Sequence, residues 1–150
     1  MKRHTPAAMT FVLSLVAATT LMAQASSADV DAVTTTPALR VQQVAGVQFL
    51  NGGAGEEERT AMRSLGSDFP LQIVFSGKGG EYRVADRVRV LGSQGEVVAV
   101  PKAGPLLMVK LRPGRYTVEA DFAGQTERRT VDVPDGGRLV HWTGPRVSQN

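Results

Sequence analysis

From Pro70 onward the chain is divided into short pieces by turn-forming residues: "GKGG" at 77–80, "GSQG" at 92–95, "KAGP" at 102–105, "RPG" at 112–114, "AGQ" at 123–125 and "PDGG" at 134–137. The turns recur mostly about every ten residues, and each gap holds a run rich in β-formers, the pattern of a sandwich or barrel. Alternation within the runs agrees. Tyr116, Val118, Ala120 and Phe122 fall on one face of a strand, and Thr117, Glu119 and Asp121 on the other. Leu71, Ile73 and Phe75 alternate in the same way, as do Val131 and Val133. The expected fold is all-β, a seven-stranded and mostly antiparallel Greek-key sandwich over residues 70–143, with a short tail at 144–150. "PLLMVKL" (105–111) is apolar on both faces up to Lys110. It reads as a central strand covered on both sides or as part of an interface. Pro101 suits an edge or a strand end, because it has no N–H to give to a ladder.

What precedes the sandwich is of another kind. Lys2, Arg3 and His4 lead an apolar run, 7–22, that ends at the small-residue signature "AQA". This reads as a secretory signal peptide cleaved after Ala25, with Ala28 as a minor variant. Sixteen residues interrupted by Thr10, Ser14, Thr19 and Thr20 are short for a spanning helix, which needs about 20. Cleavage leaves 125 of the 150 residues, one domain's worth. It also removes two of the 17 basic side chains, so 15 face 14 acidic ones. A near-neutral exported chain gives no electrostatic reason to expect nucleic acid as a partner. The absence of cysteine rules out a disulfide framework, and stability then rests on a hydrophobic core. Residues 26–46 read as a flexible tether and 47–69 as a lead-in, with a strand at 47–50 and one short helix at 56–65. Glu56, Glu57 and Glu58 suit the helix N-terminus, Met62 and Leu65 make its apolar face, and Gly66 is the expected stop.

"LRPGRYTVEADFAGQTERRTVDVP" (111–134) resembles the closing half of carboxypeptidase-regulatory-like domains, which are small transthyretin-like sandwiches. The shared positions are Leu111, Gly114, Tyr116, Val118, Ala120, Gly124, Val131 and Val133. The chain is also similar to a group of short exported proteobacterial proteins given that domain name, through "GGAG" (52–55), "GEYRVAD" (80–86) and "GPLLMVKLRPGRYTV" (104–118). "GEYRVAD" is one residue longer than the pattern of that group, which makes a bulge there an expectation. The resemblance spans roughly 47–142. It implies a fold, and it implies no activity, cofactor or partner. Pro113, Gly114 and Tyr116 are expected to be structural: in a Greek-key sandwich a tyrosine after such a turn closes a corner, its ring buried and its hydroxyl on backbone.

Catalytic constellations are poorly supplied. His141 is the one histidine beyond the leader, and with no cysteine neither a Cys–His pair nor a histidine-rich zinc site can form. The glycines of "GGAG" and "GKGG" lack the P-loop lysine. No catalytic residue, metal or cofactor is expected. Two features stand out as candidate binding elements. In "YRVADRVRV", Tyr82, Val84, Asp86, Val88 and Val90 share one face by period two, and if that face is the core Asp86 points inward and must be hydrogen-bonded. Asp86 is then either a functional carboxylate or an acceptor for turn N–H groups or an arginine. The opposite face carries Arg83, Arg87 and Arg89 with Ala85. This basic stripe would grip an anionic lipid or glycan, or else pair across strands with Glu119, Asp121, Glu127 or Asp132. A nucleic-acid or sugar platform would have to lean on Trp142 or Tyr82.

The function expected from these features is a non-enzymatic periplasmic or secreted module, not spanning the membrane. It would bind an envelope protein through sheet edges and loops. The alternatives are an anionic ligand held by the arginine stripe, a small hydrolase using Asp86 and His141, and self-association through 106–109. The oligomeric state is not specified by the sequence.

Overall fold

The computed structural model describes residues 39–145. The expected signal peptide, most of the tether and the end of the tail lie outside the described residues. Among the described residues, nine strands form two facing sheets. They are β1 (Gln42–Val44), β2 (Val47–Gly52), β3 (Leu71–Ser76), β4 (Ala85–Gly92), β5 (Gly95–Ala103), β6 (Leu106–Val109), β7 (Gly114–Phe122), β8 (Gln125–Val133) and β9 (Arg138–Thr143). One helix, α1 (Glu56–Ser64), and a 3₁₀ turn (Gly66–Asp68) lie between β2 and β3. The first sheet has the order β1-β2-β6-β3-β9 and the second β5-β4-β7-β8. Every neighbouring pair is antiparallel except β3 and β9.

All-β sandwich architecture is therefore present, and the strand count is corrected from seven to nine. Seven strands lie within 70–143, as the turns indicate. The other two come from the lead-in and from the end of the expected tether. β2 has the alternating apolar residues to join a sheet, and it pairs with β6 through Phe49↔Val109 and Leu50↔Met108. β1 carries no alternation and is exposed along its length; it forms because the Ala45-Gly46 turn folds it back on β2. Both turn residues have positive φ (51° and 81°), the geometry of a tight two-residue hairpin.

The main core lies between the sheets. Phe49, Leu71, Ile73, Phe75, Leu107, Val109 and Trp142 from the first sheet meet Val88, Val90, Val98, Val100, Val118, Ala120, Phe122, Val131 and Val133 from the second. Phe75 is shared by two aromatic contacts, edge-on to Phe122 at 5.9 Å and tilted against Trp142 at 6.1 Å. A smaller core occupies the other face of the first sheet, where Leu50, Leu106 and Met108 are covered by Met62 and Phe69. β6 is thus the central strand buried on both sides, the first of the two readings of "PLLMVKL". α1 ends at Ser64 with Leu65 as its cap, and Gly66 opens the 3₁₀ turn instead of stopping the helix in a left-handed conformation.

A candidate binding groove on the first sheet

α1 covers only part of the first sheet's outer face, because its one fully buried side chain, Met62, sits over β2 and β6. No other element among the described residues covers the rest of that face, over β3 and β9. Glu58 and Arg59 fix the start of the helix. The Glu58 carboxylate accepts the N–H groups of Gly53 (2.8 Å) and Ala54 (3.1 Å), and Arg59 Nη1 donates to the carbonyls of the same two residues at 2.8 and 3.1 Å. Two of the "GGAG" amides before the helix, those of Gly53 and Ala54, are thus occupied by the chain's own carboxylate.

The same Arg59 places its guanidinium 4.3 Å from the centre of the Tyr82 ring. Tyr82 lies in the loop that carries the chain from the first sheet to the second, and its backbone forms an isolated bridge with Ser76. Its ring closes one end of a groove of about 320 Å³. The floor is the outer face of β3, with Gln72, Val74 and Ser76, together with Leu106 of β6. Arg63 of α1 stands on one side, one helical turn beyond Arg59 on the same helix face, and Leu139 and His141 of β9 stand on the other. The lining thus holds two basic side chains and no acidic one. Among the described residues neither Arg63 nor His141 takes part in an ion pair. Tyr82 (47%) and Leu139 (53%) are among the most exposed large apolar side chains.

Of the residues singled out in the sequence, Tyr82, His141 and Leu106 line this groove, and Arg83, Asp86, Arg87 and Arg89 lie elsewhere. The phase read into "YRVADRVRV" is corrected. β4 begins at Ala85, which is fully buried, whereas Tyr82, Val84 and Asp86 are exposed. The register of this strand shifts between Val90 and Leu91, and its ladder with β5 also skips Asp86, at the end of "GEYRVAD", opposite Lys102, whose φ is 50°. Asp86 points away from the core, and its Oδ2 accepts the Ala123 N–H at 2.6 Å in the β7–β8 turn. His141 is on β9 in the other sheet, and the two residues share no hydrogen bond among those described.

The arginine stripe is broken up. Arg83 precedes β4, and its Nη1 donates to the Pro145 carbonyl at 2.6 Å with its guanidinium near the Phe122 ring. Arg87 pairs with Asp121 at 3.2 Å, directly opposite on β7. Arg89 pairs with Glu119, its own register partner, and Glu119 also holds Arg128 of β8. Glu119 is 3% exposed although it faces outward, because the two arginine side chains lie over it. Thr126 Oγ1 and Arg87 both donate to Asp121, and these bonds, that of Thr126 first, hold its carboxyl below the usual aspartate range. The second sheet's outer face is therefore a lattice of paired charges, in which only Arg89 Nε and Glu119 Oε2 are buried without a hydrogen-bond partner among the described residues.

Tyr116 closes the corner by donating its hydroxyl to the Arg112 carbonyl at 2.8 Å, with its ring half-buried and not fully so as expected. Trp142 is buried, and its Nε1 donates to Glu127 at 2.8 Å. Arg129 stacks on the same indole at 4.3 Å and donates to the carbonyls of His141 (3.4 Å) and Thr143 (3.2 Å) on β9.

The groove itself was not predicted. Its residues come from α1, β3, the crossing loop and β9, so no local motif announces it. The usable signal was Arg59 and Arg63 at helical spacing on the side of α1 next to Met62. Among the described residues no cluster of His, Cys, Asp or Glu could hold a metal ion, and no helix is long and apolar enough to cross a membrane. No family profile and no curated protein matches the chain.

Proposed function

We propose that the chain is an exported, non-enzymatic binding module of the cell envelope, built on a transthyretin-like Greek-key sandwich, and that it engages its partner through the groove between α1 and β9. The observation that carries this reading is the state of the first sheet's outer face: α1 covers half of it and leaves exposed Tyr82 and Leu139 beside two basic side chains. Exposed apolar side chains gathered at a concave, polar-rimmed site are a recurring mark of binding surfaces. The signal-peptide reading of 1–25 supports export to the periplasm or beyond, and the motif resemblance over 47–142 supports the carboxypeptidase-regulatory-like assignment.

Three of the four sheet edges give less support to partner-strand addition, and the fourth, β1, offers only three residues. β5 carries Pro101 and lies beside the β4 irregularity, β8 is lined with charged residues, and the outer carbonyls of β9 are taken by Arg129. The arginine stripe gives less support to an anionic ligand, since Arg87 and Arg89 are paired across strands. A hydrolase working through Asp86 and His141 would need them together, and they lie on different sheets. The test is capture from an envelope extract of the source organism with the tagged chain, its Leu139→Asp variant and its Arg87→Glu variant. Loss of the retained partner with Leu139→Asp but not with Arg87→Glu is the expected result. Loss with Arg87→Glu alone would move the site to the second sheet.

A further inference from the structure

We propose, on the reading of the groove as the binding site, that its ligand is a small amphiphilic carboxylate: an apolar body lying on Val74 and Leu139, with its anionic end between Arg63 and His141. Three observations select this chemistry. The groove, at about 320 Å³, is at the small end of the range for small-molecule sites, roughly 300–1,000 Å³, and is too small for a folded partner to enter. Its floor is part apolar, from Val74 above the buried Leu106, while Ser76 and the Oε1 of Gln72, whose Nε2 donates to the Gly66 carbonyl at 3.2 Å, supply polar contacts along β3. The one fixed charge in its lining is the guanidinium of Arg63, with no carboxylate there to compete with a ligand's. A guanidinium beside an apolar surface binds a carboxylate more strongly than a neutral hydroxyl, because the hydrogen bond is charge-assisted.

The geometry also preorganises the site. Arg59 is anchored to the Gly53 and Ala54 carbonyls and stacks on Tyr82, so the end wall is held before any ligand arrives. Arg63 projects from the last turn of a helix whose position is fixed by the buried Met62.

The experiment is an NMR titration of the purified chain with decanoate, hexanoate and the uncharged decanol, repeated on Arg63→Gln and Leu139→Asp, both exposed positions. Expected are shifts at the amides of Gln72, Val74, Ser76, Tyr82, Leu139 and His141. Decanoate should bind about tenfold or more tightly than either decanol or hexanoate, in line with burial of several methylenes and one ion contact. Arg63→Gln should bring decanoate down to the level of decanol, and Leu139→Asp should weaken both. Equal binding of decanoate and decanol by the unaltered chain would overturn the carboxylate assignment and leave the groove as the binding site. Shifts centred on Arg87 and Arg89 would overturn the location. No binding of any of the three probes would overturn the ligand class, while capture dependent on Leu139 would still uphold the groove.

Discussion

Ala123 holds φ at 48° in the β7–β8 turn, next to Gly124 at 81°. A left-handed conformation costs a residue with a Cβ roughly 1–2 kcal/mol. The Ala123 N–H is fixed there by the Asp86 carboxylate, so Asp86 serves the turn and not the core. Ala123→Asn, which suits a two-residue hairpin and keeps the N–H, should raise unfolding stability by about 0.5–1 kcal/mol in a denaturant titration. Asp121 gives a pH effect whose sign is fixed. Its carboxyl is lowered chiefly by the Thr126 hydroxyl and then by Arg87. A depressed carboxylate contributes stability that is present above its unfolded value of about 3.9 and is lost as pH falls through the lower folded value. Thr126→Ala should therefore flatten the loss of stability below about pH 4, as measured by thermal unfolding across that range. Tyr116, Val118, Ala120 and Phe122 were legible in the sequence because their strand alternates without interruption. Asp86 is outward because alternation breaks inside β4: Ala85 is buried, Asp86 and Arg87 are both exposed, and the inward period resumes only at Val88, a break that no residue in "ADRV" announces.

At the scale of elements, α1 is the least self-sufficient part of the fold. Nine residues are too few to be stable alone in water, and Met62 is its only fully buried side chain. Met62→Ala should cost about 2–5 kcal/mol, and hydrogen exchange should show the helix amides losing protection before those of β6 and β3. β9 depends on side chains in a different way. It pairs with β3 on one side, and on the other Arg129 caps its carbonyls while stacking on Trp142. Removing that cap exposes an unpaired strand edge. Arg129→Ala should therefore show concentration-dependent association in sedimentation, where the parent chain shows less. Neither β1 nor this cap was legible. "QQV" has no alternation, and Arg129 in "TERRTVDV" looks like any outward charge until β9 is placed beside it.

For the whole molecule, the two outer faces differ in kind. The second sheet turns outward a closed lattice in which Arg87, Arg89 and Arg128 are matched by Asp121 and Glu119. The first, among the described residues, is covered by α1 over β2 and β6 and left open along β3 and β9. The two-layer fold followed from turn spacing and alternation, which are local. The groove depends on which distant segments meet on one face, and no sequence period encodes that. The central claim is that function is located on the open face. It is tested most directly by placing a photo-crosslinking residue at position 139, and separately at the exposed position 130 on the second sheet's outer face, in the chain expressed in its own host. Mass spectrometry of the recovered chain should show adducts from position 139, whether protein or small molecule, and none from 130. Adducts from 130 with none from 139 would contradict the account.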